Sequence, residues 1–333
     1  MIILSLLLGV LALLVLPRPV VSVPTLLSAP HPRPLVLWHG LGDSYGSPGM
    51  LEFIQLVKDM HPGLFVHSVY IEENLKEDQK AGWFGNVNEQ VANVSIQLAE
   101  IPELSNGFDA LGFSQGGQFL RAYIERYNSP PVHNLITFGS QHMGVSDLPL
   151  CRPWDVFCHL ARRAARGGVY TEWAQENLVQ AQYFRDADQI PLYLTSNRFL
   201  AVINNEVDDS VNTTYANNLA SLNKLVLVLF SQDKTVVPKE SSWFGSYAPP
   251  EEDSSLPWQE KTIIPMRLQP IYLDNRIGLK TLDERGDVVL ETCDGEHMQL
   301  ATECWEPIVK KFVGGLVEKQ SLDSSNSQTF LHA

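Results

Sequence analysis

The run Gly112-Phe113-Ser114-Gln115-Gly116 leaves this chain the fewest structural choices. Apolar residues from Phe108 to Phe113 lead into it, and Phe119, Leu120, Tyr123 and Ile124 recur behind it at helical spacing. The pattern predicts a strand, a sharp turn and a helix, with a serine on the turn. Glycines two residues before and after the serine let the helix pass close to the strand. The serine hydroxyl then stands clear of the strand end. The N–H of Gln115, at the helix N-terminus, faces the place where charge develops on a substrate oxygen. An ordinary glycine-rich turn carries the same letters, so a nucleophile also needs a base and an acid elsewhere in the chain.

The surrounding segments alternate. Leu35-Val36-Leu37-Trp38 reads as a buried strand running into His39-Gly40-Leu41-Gly42-Asp43. A strand ending in His-Gly-x-Gly places a backbone N–H, here that of Leu41, beside the serine as a second oxyanion donor. His39 itself reads as a structural histidine under the turn. Met50, Phe53, Ile54 and Val57 predict a helix, Phe65 to Ile71 a strand, Val87 to Leu98 a helix and Leu135 to Phe138 a strand. Strands alternating with helices predict a mainly parallel sheet covered on both faces. From residue 141 to 223 the alternation fails and helical stretches dominate, notably Glu172 to Asp186 and Thr214 to Leu222. This is read as a helical insertion at the C-terminal edge of the sheet, where substrate pockets form. Its aromatic residues suit core packing, and some suit an apolar acyl groove.

Lys224 to Phe230 is a continuous apolar strand, followed by Ser231-Gln232-Asp233. Val288 to Leu290 is a short last strand, followed by Asp294-Gly295-Glu296-His297, and Trp305 to Phe312 is a closing helix. Serine in an elbow, aspartate after a late strand and histidine in the last loop follow the chain order of α/β hydrolases. Ser114 alone is a weak nucleophile, His297 is the base that takes its proton, and Asp233 orients the imidazole. Asp209, Asp274 and Asp294 compete for the acid, and a turn-forming role competes for Asp233. His142 and His159 sit where they can contact substrate.

The 333 residues are 44% hydrophobic, enough for a large core without staples, and carry a net charge of −14. That charge disfavours nucleic acid, which needs a basic stripe, and electrostatic attachment to anionic membranes. Residues 1–29 read as a signal peptide cleaved near Ser28-Ala29, short for a membrane span and lacking the usual basic start, with an uncleaved signal anchor as the rival reading. No later stretch is long and apolar enough to span a bilayer. Four cysteines, Cys151, Cys158, Cys293 and Cys304, suit two disulfides in a secreted chain. Three pairings exist, of which nearest neighbours is the simplest; without C-x-x-C spacing zinc is disfavoured, and no metal or cofactor is expected. Asn93-Val94-Ser95 and Asn212-Thr213-Thr214 are glycosylation sequons. Residues 30–140 and 224–316 form the two parts of the core, and 317–333 a polar tail.

These residues resemble the lysosomal type of palmitoyl-protein thioesterase. The resemblance rests on Trp38 to Asp43, Phe84 to Asn88, Gly112 to Arg121, Leu178 to Tyr183, Trp243 to Gly245, Arg276 to Lys280 and Glu296 to Leu300. It implies an α/β-hydrolase fold and the triad Ser114, Asp233 and His297, with the N–H groups of Leu41 and Gln115 as oxyanion donors. It also implies hydrolysis of long fatty acyl thioesters of protein cysteines, with the acyl chain held partly by the helical insertion, in a lysosome, vacuole or extracellular space. A carboxylesterase or lipase acting on oxygen esters shares the triad, and a non-catalytic acyl-binding protein shares the fold. Among the cysteines only Cys151–Cys158 matches a family pairing, and Cys293–Cys304 is additional. Ser44 and Tyr45 stand where animal members carry adjacent cysteines, and Ser95 and Tyr127 replace a second pair. Pro249 to Trp258 reads as an acidic loop insertion.

Overall fold

Six strands form the central sheet: β1 (Leu35–Trp38), β2 (Val66–Ser68), β3 (Phe108–Phe113), β4 (Val132–Phe138), β5 (Lys224–Phe230) and β6 (Val288–Cys293). Their order is β2-β1-β3-β4-β5-β6, and every pairing is parallel. The computed structural model describes residues 31–147, 168–250 and 261–317. The apolar N-terminus, Cys151, Cys158, His159, most of the acidic loop and the tail beyond Val317 lie outside them.

A parallel sheet needs cover on both faces, and the alternation along each strand supplies it. Leu35, Leu37, Leu111, Phe113, Ile136, Phe138, Val226 and Val228 point to one face. There they meet α1 (Pro48–Met60), through Met50, Phe53 and Val57, and α6 (Thr302–Phe312), through Trp305, Ile308 and Phe312. Val36, Trp38, Ala110, Leu135, Leu225 and Leu227 point to the other, toward α3 (Val87–Ala99) and α4 (Gln115–Arg126). Fully burying each such large side chain contributes roughly 1.5–3 kcal/mol. Ser47 starts α1 by accepting from the Met50 N–H, and Pro48 supplies a first residue with the right φ.

Residues 168–223 do not make a core of their own. Tyr193, Phe199, Leu200 and Ile203 join the cluster that holds Phe119 and Tyr123. The single helix expected from Glu172 to Asp186 is broken: it runs over Glu172–Asn177 and resumes at Val179–Gln182. Leu178 between them is extended because it forms a β-bridge with Phe84, and the Val179 N–H donates to the Trp83 carbonyl. A partner 94 positions earlier in the chain thus overrides the local helical pattern. The helices expected around Met50–Val57, Val87–Leu98, the run behind Ser114, Thr214–Leu222 and Trp305–Phe312 form near those places, as α1, α3, α4, α5 (Thr213–Ala220) and α6, whereas α2 (Leu75–Ala81) lacks an apolar stripe to predict it.

The chain order also makes a switch point. From β1 the chain goes outward to β2, then returns across β1 to β3 and builds outward the other way. The ends of β1 and β3 are therefore adjacent, Trp38 beside Gly112, with connections diverging from them. Open α/β sheets bind ligands at such a place. The ends of β5 and β6 are adjacent too, Phe230 beside Cys293.

Candidate active site

Ser114 sits between β3 and α4 at φ 51°, ψ −123°, a backbone state that costs an ordinary residue about 1–3 kcal/mol. Its surroundings impose that state. The Ser114 N–H donates to the Phe138 carbonyl at 2.8 Å, and α4 then turns back across the sheet. A side chain at Gly112 would lie 2.2 Å from the Gly117 backbone, and one at Gly116 2.3 Å from the Trp38 carbonyl oxygen. The two flanking glycines are required by this close crossing.

His297 reaches Ser114 from the loop after β6. Its Nε2 lies 3.0 Å from Ser114 Oγ and its Nδ1 2.6 Å from Asp233 Oδ2. An ionised carboxylate only accepts, so Nδ1–H donates to Asp233 and Nε2 is left to accept from the serine hydroxyl. The other oxygen of Asp233 accepts from the Thr235 and Val236 N–H groups at 2.8 and 2.9 Å. The aspartate side chain is fully enclosed, whereas the imidazole is 14% exposed. His297 packs edge-on against Phe230, and its Cε1 would stand only 3.1 Å from a side chain at Gly139, whose φ of 60° also favours glycine.

The rival acids are occupied elsewhere. Asp294 accepts from the Ser231 hydroxyl, Asp274 pairs with Arg276, and Asp209 lies on an exposed turn. His142 is enclosed beneath the sheet end, with Nε2 3.0 Å from Thr137 Oγ1 and its ring stacked on Phe244. Burial and the charge of Arg121 hold it well below its usual pKa, and it does not reach the pocket.

The N–H groups of Leu41 and Gln115 make no hydrogen bond to the described residues. Gly40 rests against Ser114, where a side chain would come within 3.2 Å of the serine Cβ. His39 holds this turn from below: Nδ1 donates to the Gly40 carbonyl at 3.0 Å and Nε2 lies 3.1 Å from Asp78 Oδ2. Asp78 also accepts from the N–H groups of Tyr45, Ile71 and Glu72. Burial pushes its carboxyl up, but the His39 contact and the Tyr45 and Ile71 amides outweigh that and leave it below 3.8. Tyr45 adds a bond from its hydroxyl to the Glu73 carbonyl. Hydrogen bonds through Asp78 thus fasten the loop at Ser44-Tyr45.

Asn93 is exposed on α3, and Asn212 is exposed at the start of α5, where its side chain accepts from the Thr214 N–H. Cys293 and Cys304 are joined in a disulfide, with Cα atoms 5.4 Å apart, which ties the end of β6 to α6.

The description of the palmitoyl protein thioesterase family matches residues 34–297, from just before β1 to the histidine itself. The chain belongs to that family. It is an enzyme of the thioester hydrolase class. Palmitoyl-protein thioesterase 1 of Caenorhabditis elegans is 41% identical over 281 residues, 84% of this chain and 91% of that protein. Lysosomal thioesterase PPT2 of Rattus norvegicus is 31% identical over 266 residues, 78% and 81% of the two chains. Among solved structures, Est1E from Butyrivibrio proteoclasticus with ferulic acid bound overlaps 84% of this chain at 13% identity and a TM-score of 0.45.

In this member of the family a cavity of about 460 Å³ opens over Ser114 and His297. Val145, Gln180 and Tyr183 line it on one side, and Met50, Phe53 and Leu300 on the other. The apolar wall therefore comes from α1 and the loop after His297 as much as from residues 141–223. Periodicity marked Met50 and Phe53 only as one face of a helix; that face here serves both the core and the cavity. Gln141 also lines the cavity, is 2% exposed, and makes no side-chain hydrogen bond to the described residues. No sequence signal marked it or Asp78, which sits in a charged run that reads as a solvated face.

Proposed function

We propose that the chain hydrolyses long-chain fatty acyl thioesters of protein cysteines through a Ser114–His297–Asp233 triad and an acyl-enzyme. The reading rests chiefly on the two contacts of one imidazole, 3.0 Å to Ser114 and 2.6 Å to Asp233. In the first half-reaction His297 takes the hydroxyl proton as Oγ attacks the thioester carbon. The oxygen of that carbonyl gains charge facing the unpaired N–H groups of Leu41 and Gln115, at the positive end of α4. Collapse breaks the carbon–sulfur bond. A cysteine thiol has a pKa near 8.5, so the departing sulfur needs little help beyond the proton on His297. In the second half-reaction His297 takes a proton from water, the water oxygen attacks the acyl-serine, and fatty acid leaves as Ser114 regains its proton.

The enclosed carboxylate of Asp233 stabilises the imidazolium in both halves. Mainly apolar walls of the cavity suit a fatty chain, and its volume falls within the roughly 300–1,000 Å³ range of small-ligand pockets. A secretory route to a lysosome, a vacuole or the exterior fits the N-terminal segment, the exposed Asn93 and Asn212, the Cys293–Cys304 bond and the name of the rat relative. No helix among the described residues is long and apolar enough to cross a membrane.

Parallel assays with a palmitoylated cysteine peptide, palmitoyl-CoA and a matched oxygen ester test the substrate class. The thioesters are expected to turn over faster, and mass spectrometry is expected to find the acyl group on Ser114. Ser114→Ala is expected to lose at least about a thousandfold in kcat while keeping its fold. Preferential turnover of the oxygen ester points to a carboxylesterase, and near-normal turnover by Ser114→Ala removes the triad.

A further inference from the structure

At the opposite end of the sheet from Ser114 lies a second cavity, of about 380 Å³. The start of β4, the end of α6 and the residues just after it enclose it. Its side chains include Arg33, His61, His133, Lys310 and Lys311, and none of its lining residues is Asp or Glu. That composition is unexpected in a chain with 38 acidic and 24 basic residues. Side chains of one sign converging in a concave site focus a field that a solvated surface would disperse.

The bonding of these groups is incomplete in one direction. Arg33 donates through Nη1 to Asp109 at 3.2 Å, and its Nε and Nη2 make no bond to the described residues. Asp109 lies beneath the cavity and also accepts from Asn134 and the Gly314 N–H. Burial, partly offset by Arg33, raises its carboxyl to about 6, so in acid it loses the charge that faces Arg33. His61 Nε2 is enclosed with no hydrogen-bond partner, and the His133 ring makes no bond either. Lys311 lies over the Phe312 ring at 4.8 Å and has no carboxylate partner, whereas Lys310 pairs with Glu306. On the neighbouring strand Lys224 is paired with Asp287.

We propose that this cavity binds a tetrahedral oxoanion, the sulfate or phosphate group of a soluble monoester, between Arg33, His133 and Lys311. Arg33 presents its free edge as a planar donor fork, and Lys311 adds a mobile cation at the mouth. Protonation gives His133 a charge and a second donor, so the site strengthens in acid, although burial and Arg33 lower its pKa. Arg33, Lys311 and Lys310 face His133 as cations and work against its protonation, while Asp109 and Glu306 work for it. Bound oxoanion supplies the missing negative partner.

The test uses the full-length protein and sodium sulfate, whose charge does not change between pH 5.5 and 8. Calorimetry against sodium chloride at matched ionic strength is expected to show one sulfate bound, more tightly at pH 5.5. His133→Ala and Lys311→Gln are each expected to weaken it about tenfold, the scale of one lost charge-assisted bond, with thioester turnover unchanged. Both leave the Arg33–Asp109 pair in place. Glucose 6-phosphate is expected to compete. Heats no different from chloride, or wild-type affinity in both variants, overturn the proposal. Binding to phosphatidic acid vesicles without binding of sulfate or glucose 6-phosphate also overturns it.

Discussion

Ser114 adopts a left-handed backbone that an isolated serine avoids, and three close approaches keep it there. Its neighbours Gly112 and Gly116 have no room for a side chain, and its N–H is bound to β4. Asp233 is held with equal economy: one oxygen faces His297, and the other accepts two amides of the turn that follows. An asparagine there keeps the amide bonds but cannot stabilise an imidazolium and favours the wrong tautomer. Asp233→Asn is therefore expected to lower kcat/KM by about 10⁴-fold. Asp294→Asn, which touches only Ser231, the Gly295 N–H and Gln232, is expected to stay within a few-fold of wild type. Steady-state kinetics of the two purified variants decide it; reversed phenotypes would transfer the acid role to Asp294.

Among the elements, the loop after β6 carries the greatest demand. It must hold His297 against two partners from different strands, yet Gly295 and Met298 both take positive φ, and its apolar residues Met298 and Leu300 are only partly buried. The Cys293–Cys304 disulfide closes it over a separation of 11 residues. In the chain-entropy model such a closure contributes about 3 kcal/mol, and small displacement of a base lowers its rate. The double change of Cys293 and Cys304 to serine is expected to lower Tm by several degrees and kcat more than KM. The same change at Cys151 and Cys158 is expected to spare kcat. Equal kcat losses would leave a stabilising bond with no special tie to the histidine loop. Peptide mapping without reduction checks the bond itself.

Across the whole molecule, charge buried behind the active site sets a pH response. Arg121 and Glu125 on α4 are both fully enclosed, bonded at 2.9 Å, and Arg121 also donates to His142 and Asn204. Glu125 keeps one oxygen without a partner, and burial, only partly offset by Arg121, raises its carboxyl from 4.5 to about 7. Between those values the folded chain holds a proton that the unfolded chain has released. The contribution of this group is full below 4.5 and is lost as pH rises through 7. Glu125→Gln mimics the protonated form, so its Tm relative to wild type is expected to rise from pH 5 to pH 8. Groups that do not interact with Arg121 or Glu125 cancel in that difference. A relative Tm that falls instead would mean Glu125 stays ionised against Arg121.

Much of this was legible in one dimension because its causes are local. A buried parallel strand is a continuous apolar run, so β1, β3 and β5 stand out, and the turn at their ends is where Ser114, Leu41 and Asp233 were expected. The glycine spacing around Ser114 records a steric demand that no other residue meets. Sequence alone therefore determined the strand–turn–helix at the nucleophile, the parallel sheet and the chain order of serine, aspartate and histidine. Tertiary structure alone decided the rest. That Leu178 is extended depends on Phe84, and that Asp78 anchors the Tyr45 loop depends on His39 and Ile71 coming together. Met50 and Leu300 share a pocket because β1, β3 and β6 end on one edge of the sheet. Such contacts join residues far apart in the chain, and hydrophobic periodicity reports which face of an element is buried but not what lies against it.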